Sequence, residues 1–298
     1  MKMLHLIQVN LKKVLTSGGF YACAVLTVIL CFTAEIGMDP VKHEGLSVLQ
    51  ISRMKSREEM LSQVQYQYYN ILRNGMGVWI SIFIPIIAAF PFIPLVCDAR
   101  ESRSVRMTCI RLNKRTYDIG SFLSAMLSGG LAVLTGFLMF AGITAFLFPQ
   151  ASEYSPELRA LMEENYPAVF PLFEKLGYPY LYALRFLEVF LYGAASAVPA
   201  FLLTAVMKNK YLILSIPFFI IYMLREIQAK LSEQVWRNWE NPDLHLKRIL
   251  TITGTNALDQ LFTLQEDKLL TALYSLFVLA AGCMIYLAVM DRRLDYGE

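Results

Sequence analysis

Six apolar stretches alternate with polar segments along the chain, at about 20–38, 78–96, 119–148, 181–207, 211–224 and 269–290. A helix that crosses a bilayer needs roughly 20 apolar residues, whereas buried helices of soluble proteins show apolar runs of about 10–14. The fifth stretch is short, and the pattern leaves open whether it crosses fully or re-enters. The pattern predicts an all-α, polytopic membrane protein with six transmembrane helices, forming a single domain over 1–298.

Amphipathic segments flank these stretches. Residues 1–18 carry an apolar stripe at helical spacing beside Lys12 and Lys13, which predicts a helix lying on the membrane surface. The alternative is that this segment simply extends the first span. The segments 39–77 and 225–268 also contain apolar residues at helical spacing. We expect them to form external helical segments, the second of which is external or re-entrant.

The composition excludes one broad class of protein and argues against another. The chain is 56% hydrophobic and 17% charged, with a mean hydropathy of +0.46, against averages near ~45–50% and ~25% for soluble domains. These values exclude an intrinsically disordered chain and argue against a soluble enzyme. The sequence has no phosphate-binding loop, no serine elbow and no zinc-binding H-E-x-x-H. We therefore expect no catalytic, metal-binding or cofactor-binding residues, no enzyme activity and no nucleic-acid partner.

The distribution of basic residues predicts the orientation. Lys and Arg are concentrated in the N-terminal segment, in 97–118, in the turn 208–210 and in the C-terminal tail. The segment 149–180 has two basic residues against five acidic ones. Because loops rich in Lys and Arg stay in the cytosol, we expect both termini to be cytosolic in a plasma membrane of bacterial type. The segments 39–77 and 225–268 are then outside.

Three charged residues lie within the apolar stretches or at their ends. They are Glu35, Arg185 and Glu188. A charge at membrane depth indicates a functional site by default, but all three lie near the outer ends of their spans, where a charged head group reaches water. Arg185 and Glu188 are spaced i, i+3 and can pair on one helix face. They are candidates either for a structural role or for lining a pathway.

Small residues and prolines give further expectations for packing. Small residues recur every fourth position over 124–136, and again at Gly193 and Ala197. This spacing allows helix backbones to approach closely, either within the chain or between subunits. Prolines are expected to break or kink three of the helices. They are Pro85, Pro91, Pro94, Pro199 and Pro217.

The segment 97–118, which we call the coupling loop, has the most specific pattern. Asp98 and Glu101 stand at its start, a basic stretch follows over 102–111, and Lys114 to Tyr117 leads into the third span. Positive-inside charge explains the arginines. It does not explain why the acids stand only at the start and the aromatic residue at the end.

With this loop the chain resembles the membrane subunits of type-2 ABC exporters, the ABC-2 permeases. In that family an amphipathic helix precedes the first span and a long external segment follows it. The loop between the second and third spans carries an acidic residue, a coupling helix and a basic stretch, and short external helices lie between the fifth and sixth spans. The corresponding segments here are 4–15, 39–77, 97–118 and 225–268. The segment 112–117 lacks the proline that often precedes the basic residue in the family.

The resemblance implies a transport subunit that has no ATPase site of its own. A separate cytosolic ATP-binding subunit would bind ATP and dock on the coupling loop. Two permease copies, identical or different, would alternate between inward-closed and outward-open states in the lipid bilayer. The candidate residues for coupling to the ATPase are Asp98, Glu101, Arg103, Arg106 and Arg111.

The resemblance also implies a substrate path between the two copies, lined by spans one, two and five. Aromatic residues in those spans suit an amphipathic or hydrophobic substrate such as a lipid, a peptide or a drug; they are Phe83, Phe90, Phe92, Phe218 and Phe219. Ordinary lipid-facing or core positions explain these aromatics equally well.

Two other functions stay open. One is a secondary transporter or channel that works without ATP, although no chain of Asp, Glu or His crosses the predicted spans. The other is a membrane sensor or scaffold that transports nothing. A copurifying ATPase would separate the transporter subunit from both.

Overall fold

A computed structural model describes residues 2–38, 45–102, 104–150, 163, 170–237 and 268–292. These residues are mostly helical, with one two-stranded sheet. In chain order the elements are α1 (Lys2–Leu15), α2 (Gly18–Phe32), β1 (Glu35–Met38), β2 (Gly45–Ser47), α3 (Val48–Met54), α4 (Arg57–Ser62), a 3₁₀ turn (Val64–Tyr66), α5 (Tyr68–Asn74), α6 (Val78–Ala89), α7 (Ile93–Glu101), α8 (Ser104–Arg111), α9 (Lys114–Leu147), α10 (Phe170–Leu176), α11 (Tyr178–Thr204), α12 (Lys210–Arg237) and α13 (Lys268–Arg292).

The described helices confirm a membrane-embedded protein. Three are both long and apolar enough to cross a bilayer, namely Trp79–Glu101, α9 and α11. The pair α1 and α2 makes a fourth if the two helices count as one bent span. The structure therefore supports three or four spans among the described residues.

The N-terminal amphipathic segment forms a helix of its own. The axes of α1 and α2 differ by 65°, and Ser17 caps the start of α2 by accepting a hydrogen bond from the Phe20 amide. The Nδ2 of Asn10 donates to the Oγ of Ser124, 3.2 Å away, so α1 packs on the first part of α9. The segment therefore does not simply lengthen the first span.

Prolines break the second apolar stretch, as predicted. Helix α6 contains Pro85 and ends at Ala89, and α7 starts at Ile93 with Pro94 in its first turn. Proline lacks an amide hydrogen and clashes with the preceding turn, so the helix cannot continue unchanged through this region. Pro199 and Pro217 lie inside α11 and α12.

The center of the bundle is a close contact between α9 and α11. A β-carbon on Gly129 would lie 2.7 Å from the carbonyl oxygen of Ala88 in α6 and 3.2 Å from that of Gly193 in α11. A β-carbon on Gly193 would lie 3.0 Å from the carbonyl oxygen of Gly129. Backbones this close leave no room for a side chain. The small residues of α9 are thus used for packing within the chain, as one of the two alternatives predicted.

Helix α12 runs through the predicted boundary between the fifth span and the segment 225–268. It continues from Lys210 to Arg237 without interruption. No glycine or proline stands between 218 and 241, so nothing in the sequence ends the helix at residue 225. The rest of this predicted segment, 238–267, lies outside the described residues.

The beginning of the segment that was predicted to be external differs from an all-α expectation. Helix α2 ends at Phe32, and β1 pairs with β2 in antiparallel register, with Glu35 opposite Ser47. Gly37, Pro40 and Gly45 disfavour a helix here, so the backbone groups pair between strands. Glu35 is exposed in β1 and is not part of a membrane-spanning helix. Residues 57–74 divide into α4, the 3₁₀ turn and α5.

The glycine contact predicts a difference between two positions of the same helix. We expect Gly129→Ala to lower the free energy of unfolding by about 1–3 kcal/mol, because the new methyl group displaces packed backbone. Gly142→Ala is the matched control, since a β-carbon there meets nothing within 4 Å and alanine favours a helix. Thermal unfolding in mild detergent measures both. Equal midpoints for the two variants would contradict the close contact.

Candidate functional site

The coupling loop lies at one end of the helix bundle, which we call the loop end. The opposite end holds β1 and β2 and is called the sheet end. At the loop end α7 ends at Glu101, the short helix α8 follows, and α9 begins at Lys114. A helix within the predicted coupling stretch is therefore present.

Helix α8 is anchored by one residue and exposes most of the others. Val105 is buried at 1% exposure, whereas Glu101, Arg106 and Arg111 are exposed. These three side chains are accessible from outside the bundle, and their role in docking stays a prediction. Arg103 lies outside the described residues.

The same helix exposes two large apolar side chains that the sequence analysis did not single out. Met107 is 70% exposed and Ile110 is 80% exposed. Their i, i+3 spacing places them on one face of α8. This spacing is present in the sequence, but only the charged residues around it were selected as docking candidates. The result is an apolar pair between Arg106 and Arg111.

Burial also acts on the one cysteine of α8. It raises the pKa of the Cys109 thiol, with the carboxyl group of Asp118 adding to the effect. Because the thiolate is the reactive form, Cys109 reacts slowly with thiol reagents at neutral pH.

Asp98 has a partner within the chain. The Nζ of Lys210, the first residue of α12, donates to its Oδ1 at 2.9 Å. Both side chains are partly exposed, at 33% and 55%, so the pair contributes modestly to stability. Asp98 therefore joins the coupling loop to α12, whereas it was predicted as a docking candidate.

Arg100 contacts two other helices of the bundle, and the sequence analysis did not single it out. One guanidinium nitrogen donates to the carbonyl oxygen of Thr204, the last residue of α11. The other lies 3.3 Å from the hydroxyl of Tyr286 in α13. Tyr286 is only 1% exposed. The side chain of Arg100 therefore points into the bundle. A count of basic residues in loops cannot distinguish such an arginine from one that faces water.

The start of α9 is joined to the end of α13. The Nζ of Lys114 donates to the carbonyl oxygen of Met290 at 2.8 Å. Arg115 and Asp291 lie 3.4 Å apart, but their side chains are 78% and 46% exposed, so this pair adds little. Cationic side chains of the coupling loop thus contact two other helices of the bundle, α11 and α13.

At the sheet end Arg185 and Glu188 pair as predicted. Their charged atoms lie 3.2 Å apart, and the side chains are 9% and 15% exposed. Arg185 also donates to the carbonyl oxygen of Arg73 at 2.8 Å, and its guanidinium carbon lies 5.8 Å from the centre of the Phe137 ring. Arg185 therefore binds protein groups between α5, α9 and α11, which indicates a structural role.

The aromatic residues predicted along a substrate path have different surroundings. Phe92 is 4% exposed and packs near Phe201, with ring centres 6.3 Å apart. Phe83 of α6 packs against Phe218 of α12 at 5.3 Å. Two others are exposed, Phe90 at 39% and Phe219 at 59%. Phe92 thus belongs to the core, and α6 and α12 meet through an aromatic contact.

Comparison with known proteins adds no family. No family model and no curated protein matches the sequence of this chain. Among the described residues, no group of three or more His, Cys, Asp and Glu side chains could hold a metal ion.

Removing Arg185 should strongly destabilise the protein. Arg185→Ala leaves Glu188 and the Arg73 carbonyl without their buried cationic partner, and we expect the free energy of unfolding to fall by about 3–5 kcal/mol. Arg115→Ala is the matched control, because it removes an exposed ion pair and should cost less than about 1 kcal/mol. Thermal unfolding in mild detergent compares the two. A similar small loss for both would show that Arg185 is solvated rather than structural.

Proposed function

We propose that this chain is the permease subunit of an ATP-binding-cassette exporter, driven by a separate cytosolic ATP-binding subunit. The observation that carries the proposal is α8, a short helix held between two membrane helices that exposes Met107 and Ile110 between basic residues. A large apolar pair on such a helix suits a protein partner, because burial against it would remove both side chains from water.

The charges around this pair fit the same partner. Glu101, Arg106 and Arg111 are exposed beside the two apolar residues. Charged residues around an apolar center fix the orientation of a docking partner more than they add affinity. We expect Arg103, from its position in the sequence, to belong to the same surface.

The membrane topology proposed for this function has six spans. The bent pair α1 and α2, the pair α6 and α7, and the single helices α9, α11, α12 and α13 supply them. Helices α12 and α13 have 28 and 25 residues, or about 42 and 38 Å at 1.5 Å per residue, which is enough to cross the hydrocarbon core. The basic residues of the loop end make that end cytosolic, with both termini there, in a bacterial-type plasma membrane.

A second permease copy completes the proposed transporter. The small-residue face of α9 is already covered by helices of the same chain, so the copies would meet through other faces. Helices α2 and α12 expose Tyr21, Val25, Ile29, Phe219 and Met223. A path between two such faces would suit an amphipathic or hydrophobic substrate.

Crosslinking at single positions in native cells tests the proposed docking surface, which comprises Glu101, Arg106, Met107, Ile110 and Arg111. A photo-crosslinking amino acid at position 110 should capture a protein that carries the phosphate-binding motif G-x-x-x-x-G-K-[ST]. The control position is 146, an 89% exposed phenylalanine near the other end of α9. Mass spectrometry identifies the adducts. Capture of a protein without that motif at position 110 would favour a sensor or scaffold, and capture of nothing would favour an ATP-independent transporter or channel.

A further inference from the structure

Three cationic side chains bind carbonyl oxygens in the last turns of neighbouring helices. Arg100 binds the carbonyl of Thr204 at the end of α11, and Lys114 binds that of Met290 near the end of α13. Arg185 binds the carbonyl of Arg73 near the end of α5. The last carbonyls of a helix have no partner within it and carry partial negative charge. Each cation therefore joins a helix end to a different element.

Two of these three contacts belong to α11. Its last residue accepts the hydrogen bond from Arg100 at the loop end, and its own Arg185 holds α5 toward the sheet end. The 19 steps between residues 185 and 204 correspond to about 28 Å of helix. Helix α11 is thus attached to the coupling loop at one end and to the external segment at the other.

Helix α11 is also held against α9 along its length. The glycine contact at Gly129 and Gly193 brings the two backbones together, and a β-carbon on Gly130 would lie 2.8 Å from the carbonyl oxygen of Phe190. Packed interiors of this density transmit displacement, because they have little room to deform. The pair α9 and α11 is therefore suited to move as one body.

We infer that Arg100 is a positioning residue that transmits displacement of the coupling loop to α11, and that Arg185 passes this displacement to the external segment 45–74. This inference rests on the proposed function, since the ATP-binding subunit supplies the displacement. The route leads from the docking surface to the opposite side of the membrane.

The planar guanidinium of Arg100 is the reason that lysine cannot replace it. Arginine donates from two nitrogens at once, here to Thr204 in α11 and to Tyr286 in α13. Lysine is a single point charge on a flexible stem and does not hold both acceptors in one geometry. Arg100→Lys therefore keeps the positive charge and removes the connection.

The test measures how fast a cysteine thiol reacts at the sheet end, where the proposed route ends. Asn74→Cys places it at the exposed end of α5, beside Arg73, in a chain in which Cys109 and Cys283 are replaced by alanine. The complex is purified from native cells with its bound partner, and the rate of labelling by an impermeant maleimide is measured with ATP and with ADP. We expect the two rates to differ by about fivefold, the lower end of usual coupling between sites.

Arg100→Lys should make the two rates equal, while the chain stays folded and the ATP-binding subunit stays bound. Arg115→Ala, an exposed arginine of the same loop, should retain the difference. Arg185→Lys should also equalise the rates, since it interrupts the route at its other end.

The outcomes separate this inference from the proposed function. If an ATP-binding subunit copurifies and Arg100→Lys keeps the fivefold difference, the route is wrong and the proposed function stands. Absence of any nucleotide effect in the parent complex would also overturn the route alone. If no ATP-binding subunit copurifies, the proposed function fails and the route fails with it.

Discussion

The close contact between α9 and α11 is the constraint on which the rest of the bundle depends. Helices in hydrocarbon gain little from hydrophobic burial against one another, so association depends on close packing and on polar contacts. Gly129 and Gly193 allow backbone approach, and α6 joins the same contact through the carbonyl of Ala88. Helix α1 attaches to α9 through Ser124. Helix α9 is therefore the central helix against which α1, α2, α6 and α11 pack.

Polar contacts at the two ends of the bundle hold the ends of the helices in place. At the loop end Arg100 and Lys114 satisfy carbonyls at the ends of α11 and α13, and at the sheet end Arg185 does the same for α5. A buried arginine costs desolvation energy, which is offset only by full hydrogen bonding and a paired charge. The ends of α7 and α9 are thus fixed, while α8 between them keeps an exposed face.

Local patterns predicted much of this structure, and contacts distant in sequence were not predicted. Hydropathy placed the third and fourth helices within a few residues of α9 and α11, and the prolines marked the break between α6 and α7. The Arg185–Glu188 pair was predictable because its partners lie three residues apart on one helix. Arg100 contacts Thr204, 104 residues away. In the sequence it is only one of several basic residues in a loop that is predicted to be cytosolic. The helical part of the segment 225–268 was predicted from its apolar residues at helical spacing, but local spacing did not show that one helix, α12, joins it to the fifth span.

The exposed surface around α8 likewise combines residues that the sequence analysis selected with residues that it did not. The charges at Glu101, Arg106 and Arg111 were selected because they fit a family pattern, and these side chains are exposed. The apolar pair Met107 and Ile110 was not selected, because only the structure shows that no other part of the described chain covers it. Asp98 was assigned to the partner but binds Lys210.

The most direct test of the central claim is native mass spectrometry of the tagged chain, extracted from its own cells in mild detergent. The account predicts a complex with one ATP-binding subunit per permease copy and two permease copies in total. A homo-oligomer of this chain that contains no ATP-binding subunit would contradict it.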